Sequence, residues 1–308
     1  MEGLDEIVRM VRQWGLTGGE EPIVEPLVGG VSCIVALVKS RRVKWVVKRA
    51  LPRLIVEEEW LANLSRIFRE AGCLGVIREV VDRDAAQEVI LEDRENYSIV
   101  LEYGEGGVTW KKRLMEGVVD SHVTDRVAHI LSRLHRMTRG EKSRRQRLRR
   151  PDQLRIDPYI NRLIKKHPDI GHHLRDVIEI LLGRRMVLVH GDYSPKNILM
   201  VPDDRIWVLD CEPAHYGNPV FDIAFCTHHL MLKSIHLGSM RHLEERGFHV
   251  VETDLGERII QSACERPFHL VFPAVHKTVK EVAELFSQPV GYDVSPKLDD
   301  VMRAVREP

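Results

Sequence analysis

The sequence predicts an α+β chain in two lobes, a small β-rich N-terminal lobe at 1–104 and a larger, mostly helical C-terminal lobe at 105–308. Three observations carry this expectation. Between residues 25 and 103 short apolar runs alternate with turn residues, whereas beyond residue 109 apolar positions recur at helical spacing. Two further strand-like runs, Met186–Val189 and Ile206–Leu209, interrupt the helical part, and each empties into polar, charge-bearing residues.

The first element is read at Leu4–Trp14, where Leu4, Ile7, Val8, Val11 and Trp14 fall at helical spacing and Gly15 ends the run. It is expected to be scaffold on the outside of its lobe. Glu25–Val38 reads as strand, glycine turn, strand, followed by a turn at Lys39–Lys44 and a third strand at Trp45–Lys48. Gly29 and Gly30, followed by Ser32, let the backbone approach a phosphate and lend it N–H and hydroxyl donors. An ordinary β-turn uses the same residues. Arg66–Leu74 is helix-like, with Ile67, Ala71 and Leu74 on one face, while Glu57–Glu59 reads as a solvated turn. Glu79–Asp84 and Ala86–Glu92 are expected strands, and Tyr97–Tyr103 is a buried strand that Gly104 breaks.

In the second part, Thr109–Gly117, Val123–Met137, Arg175–Leu182 and Phe221–His236 read as helices, as do Leu255–Cys264, Val271–Phe286 and Leu298–Val305. Arg136–Arg155 is the densest local charge, with Arg144, Arg145, Arg147, Arg149 and Arg150. No aromatic residues are interleaved to stack bases, so it is read as a solvated connection rather than a nucleic-acid surface. His229, Lys233 and His236 share a helix face, but no acidic or cysteine ligand accompanies them, and no metal site is read there.

Composition sets limits. The chain is 44% hydrophobic and 30% charged with a formal net charge of zero, which gives no overall field toward nucleic acid or membrane. Its five cysteines are odd in number and lack Cys-x-x-Cys spacing, so neither a disulfide framework nor a zinc site is expected and a reducing cytoplasm fits. No basic-then-apolar leader and no apolar run near the ~20 residues of a bilayer span occur.

The chemistry gathers where the two interrupting strands end. Asp192 and Asn197 follow the first, Asp210 and Glu212 follow the second, and Val201–Arg205 reads as a hairpin turn between Met200 and Ile206. Strands ending side by side would bring the four side chains together. That grouping suits phosphoryl transfer from a nucleotide, which needs one carboxylate to orient a hydroxyl and take its proton, and oxygen ligands to hold Mg²⁺. Asp192 suits the base, and Asn197, Asp210 and Glu212 suit the metal.

These motifs, His190-Gly191-Asp192-x-x-x-x-Asn197, Asp210-x-Glu212 and Gly217-x-Pro219-x-x-Asp222-Ile223-Ala224, resemble the aminoglycoside phosphotransferase and choline kinase family of protein-kinase-like enzymes. Asp210-Cys211-Glu212 is most similar to the methylthioribose kinase branch. The resemblance covers most of residues 25–236 and implies a protein-kinase-like fold that uses ATP and Mg²⁺ to phosphorylate a hydroxyl. The acceptor it implies is a sugar, aminoglycoside, amino alcohol or methylthioribose-like compound. By the same resemblance Lys48 would reach the α and β phosphates and Glu70 would hold it in place. The carbonyl of Glu102 and the N–H of Gly104 would bind the adenine edge. His190 would brace the catalytic loop, and Asp222 would bond its backbone N–H groups. Lys196 is left between offsetting phosphate charge and pointing to solvent.

Two rivals are weaker. A protein kinase of the same fold would carry Asp-Phe-Gly and Ala-Pro-Glu, and the interval from Asp210 to Asp222 is too short for a peptide platform. A non-catalytic nucleotide-binding module has no use for Lys48, Asp192, Asn197 and Asp210 together.

Overall fold

The computed structural model describes residues 3–27, 31–55, 60–140, 155–156, 160–166, 168, 171–183 and 185–240. Gly29, Gly30, arginines 144–150 and the helices expected at 255–264, 271–286 and 298–305 lie outside the described residues.

Helix α1 (Leu4–Trp14) matches its spacing and is closed by Gly15 at φ 67°. Strands β1 (Ile23–Pro26), β2 (Cys33–Lys39), β3 (Lys44–Ala50), β4 (Val89–Asp93) and β5 (Ser98–Glu102) form an antiparallel sheet in the order β1-β2-β3-β5-β4. Side-chain alternation sorts this sheet into two faces. Ala36, Val38, Val47 and Val100 pack with Ile7, Met10 and Val11 of α1. Val46, Ala50, Ile99 and Leu101 join Ile67, Ala71, Leu74 and Ile77 of helix α2 (Arg66–Val80). Each Val, Leu, Ile and Met among them contributes roughly 1.5–3 kcal/mol by burial, and each Ala less. Lys48 lies two residues from Val46 and two from Ala50, so strand parity alone turns it toward α2.

The strand expected at Glu79–Asp84 is absent. Helix α2 runs on to Val80, and Arg83–Ala85 forms one 3-10 turn. Leu74, Ile77 and Val80 prolong the buried stripe of Ile67 and Ala71, while Gly72 and Gly75 fall on the exposed side where a missing side chain costs no packing.

From β6 (Val108–Thr109) onward helices dominate the described residues. Helix α3 (Trp110–Met115) is capped by Thr109, whose Oγ1 accepts from Lys112 N at 3.3 Å. Helix α4 (Ser121–Met137) is capped by Asp120 on His122 N at 2.9 Å and buries Val127, Ile130, Leu131 and Leu134 completely. There follow α5 (Arg162–Lys166), α6 (Gly171–Gly183), β7 (Val187–Val189), β8 (Ile198–Val201), β9 (Arg205–Val208), β10 (His215–Gly217) and α7 (Val220–Met240). The expected hairpin joins β8 to β9 through Pro202, Asp203 and Asp204, the last two at φ 64° and 56° in the left-handed region. Strands β7 and β9, however, are not sheet neighbours. β7 pairs with β10 and β9 with β8, and it is the loops after β7 and β9 that meet. Among the described residues no helix is long and apolar enough to cross a membrane.

Candidate active site

Lys48 is buried on the α2 face of β3, and its Nζ donates to both oxygens of Glu70 at 2.8 and 2.7 Å and to Asp210 Oδ1 at 2.8 Å. Glu70 reaches it because it lies on the α2 face that also carries Ile67, Ala71 and Leu74. Burial pushes the ammonium down, but Asp210 and Glu70 outweigh it and hold Lys48 well above its usual value. Burial raises the Asp210 carboxyl, yet Lys48 pulls it further the other way, to about 2. At Glu70 burial prevails over Lys48 and lifts the carboxyl to about 7. Lys48 is therefore a cation whose firmer anionic partner is Asp210. Asp210 itself sits at φ 60°, a left-handed backbone costing a non-glycine residue roughly 1–3 kcal/mol.

The other half of the site begins where β7 ends. Gly191 turns the chain at φ 82°, and a Cβ there would lie 2.7 Å from the Pro213 carbonyl oxygen, so only glycine fits. The His190 ring spans the two loops. Its Nδ1 accepts from Asp192 N at 3.1 Å, which leaves Nε2 to donate to Leu209 O at 3.0 Å. Burial holds this imidazole below its usual value, so it is the neutral tautomer that braces the loop. Beneath it, Asp222 accepts from the backbone N–H groups of His190 and Gly191, both at 2.8 Å, and from His135 Nε2 at 3.0 Å. Burial pushes the Asp222 carboxyl up, but His135 and these N–H groups outweigh it and keep it below the ordinary range.

Asp192 is 4% exposed. Its Oδ2 receives Arg155 and Lys196, each at 2.9 Å, while Oδ1 is buried with no hydrogen-bond partner among the described residues. Asn197 donates its amide to Asp192 O at 2.9 Å and its backbone carbonyl accepts from Leu209 N at 2.8 Å. With the amide nitrogen so engaged, Oδ1 is the acceptor left to Asn197. The two loops thus bring Asp192, Asn197 and Asp210 together, with Lys48 joined through Asp210.

The remaining expected residues have partners of their own. Glu212, 4% exposed, forms an ion pair with Arg66 and accepts from Ser32 Oγ at 2.6 Å, so the residue expected at metal and the one expected at phosphate bond each other. The Glu102 carbonyl accepts from Gln87 Nε2 at 2.8 Å. Gly104 is pressed against Leu199, Val201 and Trp207, where a Cβ would come within 2.8 Å of the first two. Lys196 turns inward to Asp192, although its side chain remains 49% exposed.

Hard oxygen donors on an ionised carboxylate and an amide are what Mg²⁺ takes. Among the described residues no group of three or more His, Cys, Asp or Glu could hold a metal alone. Asp210 and Asn197 therefore fit an ion whose shell is completed by nucleotide oxygens, the usual arrangement for Mg²⁺.

Three residues of the site were not singled out in the sequence. Arg155 stands at the end of the arginine-rich stretch, beside buried Ile156, and bonds both Asp192 and the Gly191 carbonyl over the Phe225 ring. The apolar neighbour was its only signal. His135 lies 87 residues from Asp222, and Arg66 looks in sequence like any polar helix start.

A family model described as the phosphotransferase enzyme family matches residues 23–258. Among solved structures, the fold is similar to a macrolide 2′-phosphotransferase of Brachybacterium faecium, with 17% identity and a TM-score of 0.53 over 100% of this chain and 99% of that one. It is also similar to a spectinomycin phosphotransferase in complex with ADP and spectinomycin, with 10% identity and a TM-score of 0.54 over 99% and 94% of the two chains. At such identities the likeness is one of fold. Among curated proteins, a lactate utilization protein B of Lysinibacillus sphaericus is 46% identical over 140 residues, which is 38% of this chain and 29% of that relative's length. The chain thus spans less than a third of that protein.

Proposed function

We propose, from the premise that this chain belongs to the phosphotransferase enzyme family, that it transfers the γ-phosphate of ATP to a hydroxyl of a small molecule. The observation that carries the proposal is Asp192, whose Oδ2 is held by two cations while its buried Oδ1 has no partner among the described residues. An unsatisfied buried acceptor costs about 1–3 kcal/mol. An acceptor hydroxyl supplies the missing donor and is thereby placed on the group that takes its proton. Arg155 and Lys196 hold that carboxylate in place.

On the donor side Lys48 meets the α and β phosphates, with Glu70 keeping the ammonium at the α2 face. By their place in the sequence Gly29, Gly30 and Ser32 would serve the phosphates, and the N–H of Gly104 and the second lone pair of the Glu102 carbonyl would read the adenine edge. Asp210 and Asn197 Oδ1 would hold Mg²⁺, with Glu212 a further ligand, directly or through water. When bound, the ion would supply positive charge against the phosphates. Most of the rate gain then comes from positioning and charge stabilisation. The division at 104/105 separates a nucleotide-binding lobe from a catalytic and substrate-binding lobe. The acceptor is a sugar, aminoglycoside, amino alcohol or methylthioribose-like compound; Asp210-x-Glu212 matches the methylthioribose kinase branch, whereas Asn197 departs from it.

Calorimetric titration with ATP, with and without Mg²⁺, tests the nucleotide half: Asp210→Ala loses the Mg²⁺-dependent binding that the wild type has. Asp192→Ala keeps ATP affinity within about twofold and lowers turnover by ~10²–10⁴-fold. Full activity in Asp192→Ala would remove it from the base role.

A further inference from the structure

Arg66, in the first turn of α2, is 1% exposed and touches four separate stretches of chain. One terminal nitrogen donates to Ala62 O at 3.2 Å and Asn63 O at 2.9 Å, and the other to Leu51 O at 2.7 Å and to Ser32 O. Its Nε faces Glu212 in an ion pair. Glu212 in turn accepts from the Ser32 hydroxyl at 2.6 Å across 180 positions of sequence. A guanidinium this deeply buried is not a solvated surface pair, because removing either partner leaves the other charge uncompensated.

The same helix carries Glu70 one turn further on, and Glu70 holds Lys48, which holds Asp210. From α2, Glu70 reaches Asp210 through Lys48, and Arg66 reaches Glu212. The second tie also takes in Ser32. We infer that Arg66 is a positioning residue that couples the Ser32 end of the nucleotide loop to the Asp210–Glu212 segment, so that Mg²⁺ at that segment and nucleotide at the loop strengthen each other's binding. The inference rests on the nucleotide-site reading above. Arg69, one turn along, also feels the charge of Glu212.

The test is ATP affinity with and without Mg²⁺, read by calorimetry on the full chain in wild type, Arg66→Gln, Arg66→Lys, Glu212→Gln and Ser32→Ala. The measured quantity is the ratio by which Mg²⁺ tightens ATP binding. Arg66→Gln lowers that ratio about tenfold, and adding Glu212→Gln to it lowers it no further than Glu212→Gln alone. Arg66→Lys recovers part of the loss, since an ammonium keeps the Glu212 contact but not the fork to Ser32 and Leu51. A purely structural arginine would lower the unfolding midpoint and leave the ratio of the folded protein untouched. If Arg66→Gln does not fold, Ser32→Ala carries the test, because it removes one hydroxyl and keeps the guanidinium buried; the ratio falls about threefold. An unchanged ratio in Ser32→Ala and Glu212→Gln overturns the coupling. Absence of Mg²⁺-dependent ATP binding in the wild type overturns the nucleotide reading itself, and the coupling with it.

Discussion

Around Lys48 the charges are already paired, two carboxylates to one ammonium, whereas around Asp192 one buried oxygen has no donor among the described residues. The first arrangement must exchange partners when phosphates arrive; the second only gains one. The supports differ in the same sense. Lys48 is placed by the parity of a strand packed on both faces, and either carboxylate can hold it. The loop of Asp192 rests on Asp222, which accepts two backbone N–H groups that lie on no strand or helix.

The sharpest way to break this comparison is to remove one support from each half. Asp222→Ala leaves the N–H groups of His190 and Gly191 and the ring of His135 without their acceptor, and costs about 3–5 kcal/mol of stability. Glu70→Gln costs no more than about 1 kcal/mol, because Asp210 stays on Lys48 and burial already lifts the Glu70 carboxyl to about 7, close to a neutral group. Urea midpoints of the two variants decide the matter. A costlier Glu70→Gln would mean that Asp210 cannot hold Lys48 alone.

Gly191→Ala sharpens the contrast at a single carbon. The left-handed backbone and the Pro213 carbonyl both oppose the added methyl, at about 1–3 kcal/mol. Because Gly191 precedes Asp192 and touches nothing of Lys48, turnover falls while ATP affinity holds. A loss of ATP affinity equal to the loss of turnover would join the two halves into one unit.

How much of this was legible in the sequence follows from the range of each interaction. Helix α1 and strand β3 are set by local periodicity and a glycine cap, and Lys48 inherits its direction from Val46 and Ala50. The pairing with Glu70 was readable because the helix face is marked by Ile67, Ala71 and Leu74. Asp192, Asn197 and Asp210 were readable from motif spacing, although strand pairing was the wrong reason for their meeting; the bond from His190 to Leu209 and the backbone bond from Leu209 to Asn197 join the loops instead. The end of α2 was misread because the mixed apolar and polar residues at 79–84 suit a strand as well as a helix terminus. Arg66, Arg155 and His135 were hidden for a common reason. Each is a polar residue placed by partners far along the chain, and at most one apolar neighbour, Ile156 beside Arg155, records it. For Ser32 and Glu212 the sequence showed plausible ligands but not that their first partners are each other.

Asp210 offers the smallest effect and the one most specific to the paired half. Its carboxyl is held at about 2, below its ordinary 3.8, so the folded state favours the ionised form. The sign follows from linkage: stability from this group is fully present above the ordinary value and is lost as pH falls from there toward about 2. Asp210→Asn has no such group to protonate. The difference in urea midpoint between wild type and Asp210→Asn therefore shrinks across that window and is flat above about pH 5. Other carboxylates titrate in the same range, but they do so in both proteins and cancel in the difference. A difference that stayed constant down to pH 2 would mean that Lys48 does not depend on the charge of Asp210. Glu70 would then be its working partner, and the redundancy that separates this half of the site from the loop of Asp192 would be lost.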